Sequence, residues 1–122
     1  MTKVQFFRKD GVFYGFRETG HAGFAEEGED IVCSALSAMT MLILNTIEVS
    51  YDTRVDFKID DKTADILVKC KAALPEGGAD EKVRYAVAGL MEGYYLQLND
   101  LMEEYFDYLD VSVREIEKFG NE

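Results

Sequence analysis

The chain has 122 residues, 48% of them hydrophobic with 8 Phe and 7 Tyr, and its 13 Lys and Arg face 24 Asp and Glu for a net charge of −11. That length reads as one domain, 1–122, with enough apolar material for a real core, and the charge speaks against direct nucleic-acid binding, which depends on cations meeting phosphates. Charges interrupt the apolar runs of the opening "MTKVQFFRKDG", and no uninterrupted apolar run reaches the roughly 20 residues that span a bilayer, so the expectation is a cytoplasmic chain without a membrane partner.

The first element expected is a hairpin. Two runs rich in Val, Phe and Tyr, near 2–8 and 12–18, flank Asp10-Gly11, a strong turn signal. A glycine-rich acidic loop, 19–30, follows. From Ile31 to about Val49 the pattern is helical, with Asp30 placed to cap the first turn. Its apolar residues (Ile31, Val32, Ala35, Leu36, Met39, Leu42, Ile43, Ile47) fall on nearly all sides, which predicts a buried helix.

"TRVDFKID" alternates, with Val55, Phe57 and Ile59 on one face, and "TADILVKC" returns after an Asp60-Asp61-Lys62 turn with Ala64, Ile66, Val68 and Cys70 inward. Pro75, the only proline, sits in the loop before a long helix, Glu81 to about Tyr108. Gly89 and Gly93 would soften that helix or permit close packing, and Tyr95 and Tyr108 read as exposed, on a dimer surface. A last strand is expected at 110–117. The order is ββ-α-ββ-α-β: an α+β domain with two helices packed on a mixed or antiparallel sheet.

His21 is the only histidine, and Cys33 and Cys70 are the only cysteines. Two widely spaced cysteines and one histidine make a poor metal set and no disulfide framework, so no metal or cofactor is expected. With Asp30 as cap, Cys33 would lie in the first helical turn, where unpaired N–H groups and the helix dipole favour a thiolate. His21, 12 residues earlier, would take the thiol proton and return it to a leaving group, and helix-start N–H groups would hold an oxyanion. Ser37 is four residues on, on the same helix face. Glycines at 20, 23 and 28 suit a loop that closes over a substrate. The ordinary alternatives are simple: a helical cysteine is most often a small hydrophobe, and a loop histidine is most often solvated. Cys70, inward on its strand, fits the first of these.

The run "GHAGFAEEGEDIVCSALSAMT" resembles the signature of the ribosomal-processing cysteine proteases, the Prp family: a histidine in Gly-His-Ala, here His21, and a cysteine in Asp-Ile-Val-Cys, here Cys33. Ser34 stands where the pattern has alanine. The resemblance covers the whole element order. It implies a cytosolic, homodimeric endopeptidase without a cofactor. Such an enzyme removes the N-terminal extension of large-subunit ribosomal protein twenty-seven, cutting after Phe-Phe and before a small residue. His21 and Cys33 would be the dyad, Asp30 and Ser37 supporting residues, and Gly20, Ala22, Gly23, Phe24 and Gly28 part of the substrate-covering loop. Two other classes stay open. One is a non-enzymatic ribosome-associated module that holds a basic ribosomal protein on its acidic surface. The other is a redox-sensing thiol protein, which would need a resolving cysteine near Cys33.

Overall fold

The structure, a computed structural model, describes residues 1–20 and 27–122. Strand β1 (Thr2–Lys9) turns into β2 (Val12–Thr19) through Asp10 and Gly11, both at positive φ (50° and 79°), the conformation that a tight two-residue hairpin demands. Helix α1 (Glu27–Asn45) ends in a π-helical turn, Thr46–Ser50, where the Tyr51 N–H reaches back to the Thr46 carbonyl. Two short strands follow, β3 (Asp56–Ile59) and β4 (Ile66–Lys69), joined by a turn in which Asp60 Oδ1 accepts from the backbone of Lys62 and Thr63. Helix α2 (Glu81–Glu104) is capped by Asp80, whose side chain accepts from the Lys82 N–H at 2.8 Å. Strand β5 (Leu109–Glu115) closes the described chain's secondary structure.

The five strands make one sheet in the order β3-β4-β2-β1-β5. β5 runs parallel to β1 and the other pairs are antiparallel, so the sheet is mixed. Both helices lie on one face. There Phe6 and Phe16 pack edge-on to Tyr94, with ring centroids 5.6 and 4.9 Å away. A bulge between Phe7 and Arg8 shifts the register. Phe7 and Tyr14 then pair with each other, and Tyr14 packs on Phe119.

Several expectations need correction. α1 is not buried all round: Val32, Leu36, Ile43 and Leu44 face the core, while Ile31, Met41 and Leu42 are exposed. By length and composition alone, Glu27–Ser50, 24 residues at a hydropathy of 1.6, would suffice to cross a bilayer, which run-by-run reading overlooked. In this fold its inner face packs on the sheet instead. Phe57 and Ile59 are exposed because β3 is an edge strand of four residues, outside the area that the helices cover. Ala64 lies in the turn at φ 61°, not on an inward strand position. Tyr95 is not a surface ring: it stacks on Phe13 at 4.7 Å. Tyr108 lies beyond α2 and is half-buried. A Cβ at Gly89 or Gly93 would meet open space, so neither glycine serves close packing. Both line an apolar groove of about 260 Å³ between the helices, with Met39, Leu42, Leu90 and Tyr94.

Candidate active site

Cys33 lies on α1, half-buried, where the helix crosses the start of β1. The partner that the strand supplies is Thr2, whose Oγ1 is 3.8 Å from the Cys33 Sγ. Thr2 has no exposed surface, and its N–H donates to the Tyr108 carbonyl at 2.9 Å, which fixes the hydroxyl at this spot. The same hydroxyl donates to Glu29 Oε1 at 3.5 Å. Glu29 is one turn before Cys33 on the same helix face, and its Oε1 is also 3.5 Å from the Met1 amino nitrogen. A polar chain therefore runs from the amino group through Glu29 and Thr2 to the sulfur. Sequence reasoning missed Thr2 and treated Glu29 only as a loop charge.

The end of β2 approaches the same place. Lys3 pairs with Thr19 across the sheet, and Gly20 follows at φ 85°. A Cβ there would collide with the Met1 carbonyl, so the chain leaves β2 hard against the start of β1 because residue 20 is glycine. His21 is the next residue in the chain. It lies outside the described residues, as do Ala22, Gly23 and Phe24 of the expected substrate loop.

The loop expected over 19–30 is shorter than its pattern suggested. Thr19 belongs to β2, and α1 is already helical at Glu27. Asp30 is therefore not the cap but a residue inside α1, and Gly28 is helical rather than part of a loop. Tertiary contacts hold this extra turn. The Tyr108 ring sits where a Gly28 Cβ would go, and Glu29 is anchored by Met1 and Thr2. The carboxylates of Glu27, Glu29 and Asp30 also suit the positive end of the helix. Cys33 consequently lies in the second turn, past the first four N–H groups, so the helix-start amides are not those beside the sulfur. Ser37 is exposed one turn farther along.

The second thiol is of another kind. Cys70 is buried, its Sγ donates to the Arg54 carbonyl at 3.4 Å, and burial pushes the thiol above its ordinary range. The two cysteines form no disulfide.

Comparison with known proteins gives the chain relatives in sequence and in fold. The family model described as "Cysteine protease Prp" matches residues 1–110. The "Ribosomal processing cysteine protease Prp" of Bacillus subtilis (strain 168) is 28% identical over 97 residues, covering 80% of this chain and 82% of that one. Among solved structures, SMU.848 from Streptococcus mutans is 28% identical with a TM-score of 0.76, covering 95% of this chain and 96% of that one. An essential ribosomal processing protease Prp from S. aureus, in complex with a substrate peptide, shares the fold at a TM-score of 0.76 and 21% identity, covering 93% of this chain and 100% of that one.

Proposed function

The chain belongs to the cysteine protease Prp family, and from that premise we propose that it is an endopeptidase that removes the N-terminal extension of large-subunit ribosomal protein twenty-seven, cutting after Phe-Phe and before a small residue. The observation that carries the reading is the match over residues 1–110 together with a half-buried Cys33 against Thr2 at the start of β1, the strand end that Gly20 also meets.

The chemistry follows from the two side chains. His21 takes the proton of the Cys33 thiol, and the sulfur attacks the scissile carbonyl carbon. The tetrahedral intermediate collapses as the imidazolium gives its proton to the departing amine, leaving a thioester on Cys33. His21 then removes a proton from water. The hydroxide adds to the thioester, and the sulfur leaves as thiolate. No metal or cofactor takes part in these steps. Thr2 fixes the sulfur before attack, Ser37 supports it from the next turn of the same helix, and Gly20 with the segment around Ala22, Gly23 and Phe24 covers the substrate.

A net charge of −11 favours encounter with a basic ribosomal protein. Glu27 and Asp30 are exposed at the start of α1 and serve that attraction, whereas Glu29 is buried and does not. The enzyme works in the cytoplasm as a homodimer, in which a second copy would cover exposed apolar residues such as Met41, Leu42 and Val49. Incubation with a peptide of the extended ribosomal N-terminus, with mass spectrometry of the products, tests the reading. The native chain is expected to cut after Phe-Phe and Cys33→Ala is expected to leave the peptide whole. A folded native chain that binds the peptide uncut would favour the non-enzymatic binding module.

A further inference from the structure

Glu18 is a carboxyl group enclosed by the fold, with no exposed surface. It belongs to β2, two residues before Gly20, on the sheet face that both helices cover. Its Oε1 accepts from the Thr40 hydroxyl of α1 at 2.9 Å and from the Tyr94 hydroxyl of α2 at 2.6 Å. Its Oε2 is buried with no hydrogen-bond partner among the described residues. Burying a carboxyl costs desolvation that an apolar side chain at the same place would not. The placement supplies a reason for an acid here.

Thr40 lies seven residues after Cys33, two turns along the same helix face. β2 runs from Glu18 through Gly20 into His21. Apolar contacts are non-directional and leave a helix free to slide or roll on a sheet, whereas one hydrogen bond from each helix to the same oxygen ties both to one point of β2. Thr2 holds α1 at Cys33, and Glu18 holds it at Thr40. We propose that Glu18 is a positioning residue of the active site: through Thr40 it sets where α1, and so the Cys33 sulfur, sits against the end of β2 that leads to His21, while Tyr94 holds the carboxyl from α2. The proposal rests on the Cys33–His21 reading above.

The test replaces the whole polar cluster by apolar groups of similar shape, Glu18→Leu with Thr40→Val and Tyr94→Phe, so that no buried partner is stranded. With melting near the native temperature, kcat on the ribosomal peptide should fall about tenfold with little change in KM, because a small displacement of the nucleophile acts on the chemical step. Alkylation of Cys33 should change in parallel, and Glu18→Gln alone, whose amide oxygen accepts from the same two hydroxyls, should keep kcat. A folded triple variant with native kcat overturns the proposal. If the triple variant does not fold, Thr40→Val and Tyr94→Phe are measured singly. A loss of about threefold in kcat is then expected in each, and native kcat in both overturns it. Should the native protein itself cut no peptide, the protease reading falls and the proposal with it. Loss confined to the variants separates the two cases.

Discussion

The Thr2 hydroxyl stands 3.8 Å from the Cys33 sulfur and 3.5 Å from Glu29 Oε1, so the first residues of β1 and the second turn of α1 meet at the thiol. Thr2→Val keeps the shape and removes the oxygen. The expected stability loss is about 1 kcal/mol or less, since the Met1 amino group still meets Glu29. The sulfur loses the Thr2 hydroxyl, and kcat should fall by about fivefold, the rate equivalent of roughly 1 kcal/mol. Steady-state kinetics and thermal melting on the same preparation check both halves.

The two thiols should separate chemically. Iodoacetamide at neutral pH should label Cys33 at least about tenfold faster than Cys70, which is buried and has its thiol pushed up by desolvation. Cys70→Ala should cost about 1–2 kcal/mol of stability and leave turnover per folded molecule unchanged. Peptide mapping of the labelled protein decides the first point, and melting with active-site titration decides the second.

Glycines in the two helices should respond with opposite signs. Alanine is better than glycine in a helix by about 1 kcal/mol, and Gly89→Ala should realise most of that, because its Cβ would meet open space. Gly28→Ala should destabilise by about 1–3 kcal/mol despite the same propensity gain, because its Cβ would collide with the Tyr108 ring. A pair of melting curves, one rising and one falling relative to the native chain, is the expected outcome.

Glu18 predicts a pH signature. Burial is the largest influence on its carboxyl and raises its pKa, opposed by the hydrogen bonds from Tyr94 and Thr40. The folded state thus holds this proton more tightly than the unfolded chain does. That contribution is fully present below the unfolded value of about 4.3 and is lost as pH rises through the raised folded value. Glu18→Gln does not titrate there. Its melting temperature relative to the native chain should therefore climb as pH rises from about 4 toward neutrality. Parallel curves would mean that the carboxyl is not desolvated as described.

Local signals recovered the element order because each is carried by neighbours in the chain. Asp10-Gly11 specifies the hairpin, runs rich in Val, Phe and Tyr mark β1 and β2, and alternation marks β3. The start of α1 was misplaced because its first turn is held by Met1, Thr2 and Tyr108, none of them within reach of a local pattern. The same limit hid Thr2 at the thiol and Glu18 between the helices, whose partners lie 31 and 76 residues away. The apolar outer face of α1 misled in another way, since composition records that a residue is apolar but not whether this chain covers it. The family was legible in the motif around Cys33, whereas the part exposure of the thiol and its Thr2 neighbour needed the fold.

The acyl-enzyme is the most direct test of the central claim. The native protein is mixed with the extended ribosomal peptide, quenched in acid within the first turnover, and weighed intact. The expected result is a protein mass raised by the N-terminal fragment ending in Phe-Phe, with the adduct on the proteolytic fragment that contains Cys33 and absent from Cys33→Ala. Cleavage of the peptide by a Cys33→Ala protein, or an adduct that maps to Cys70, would contradict it.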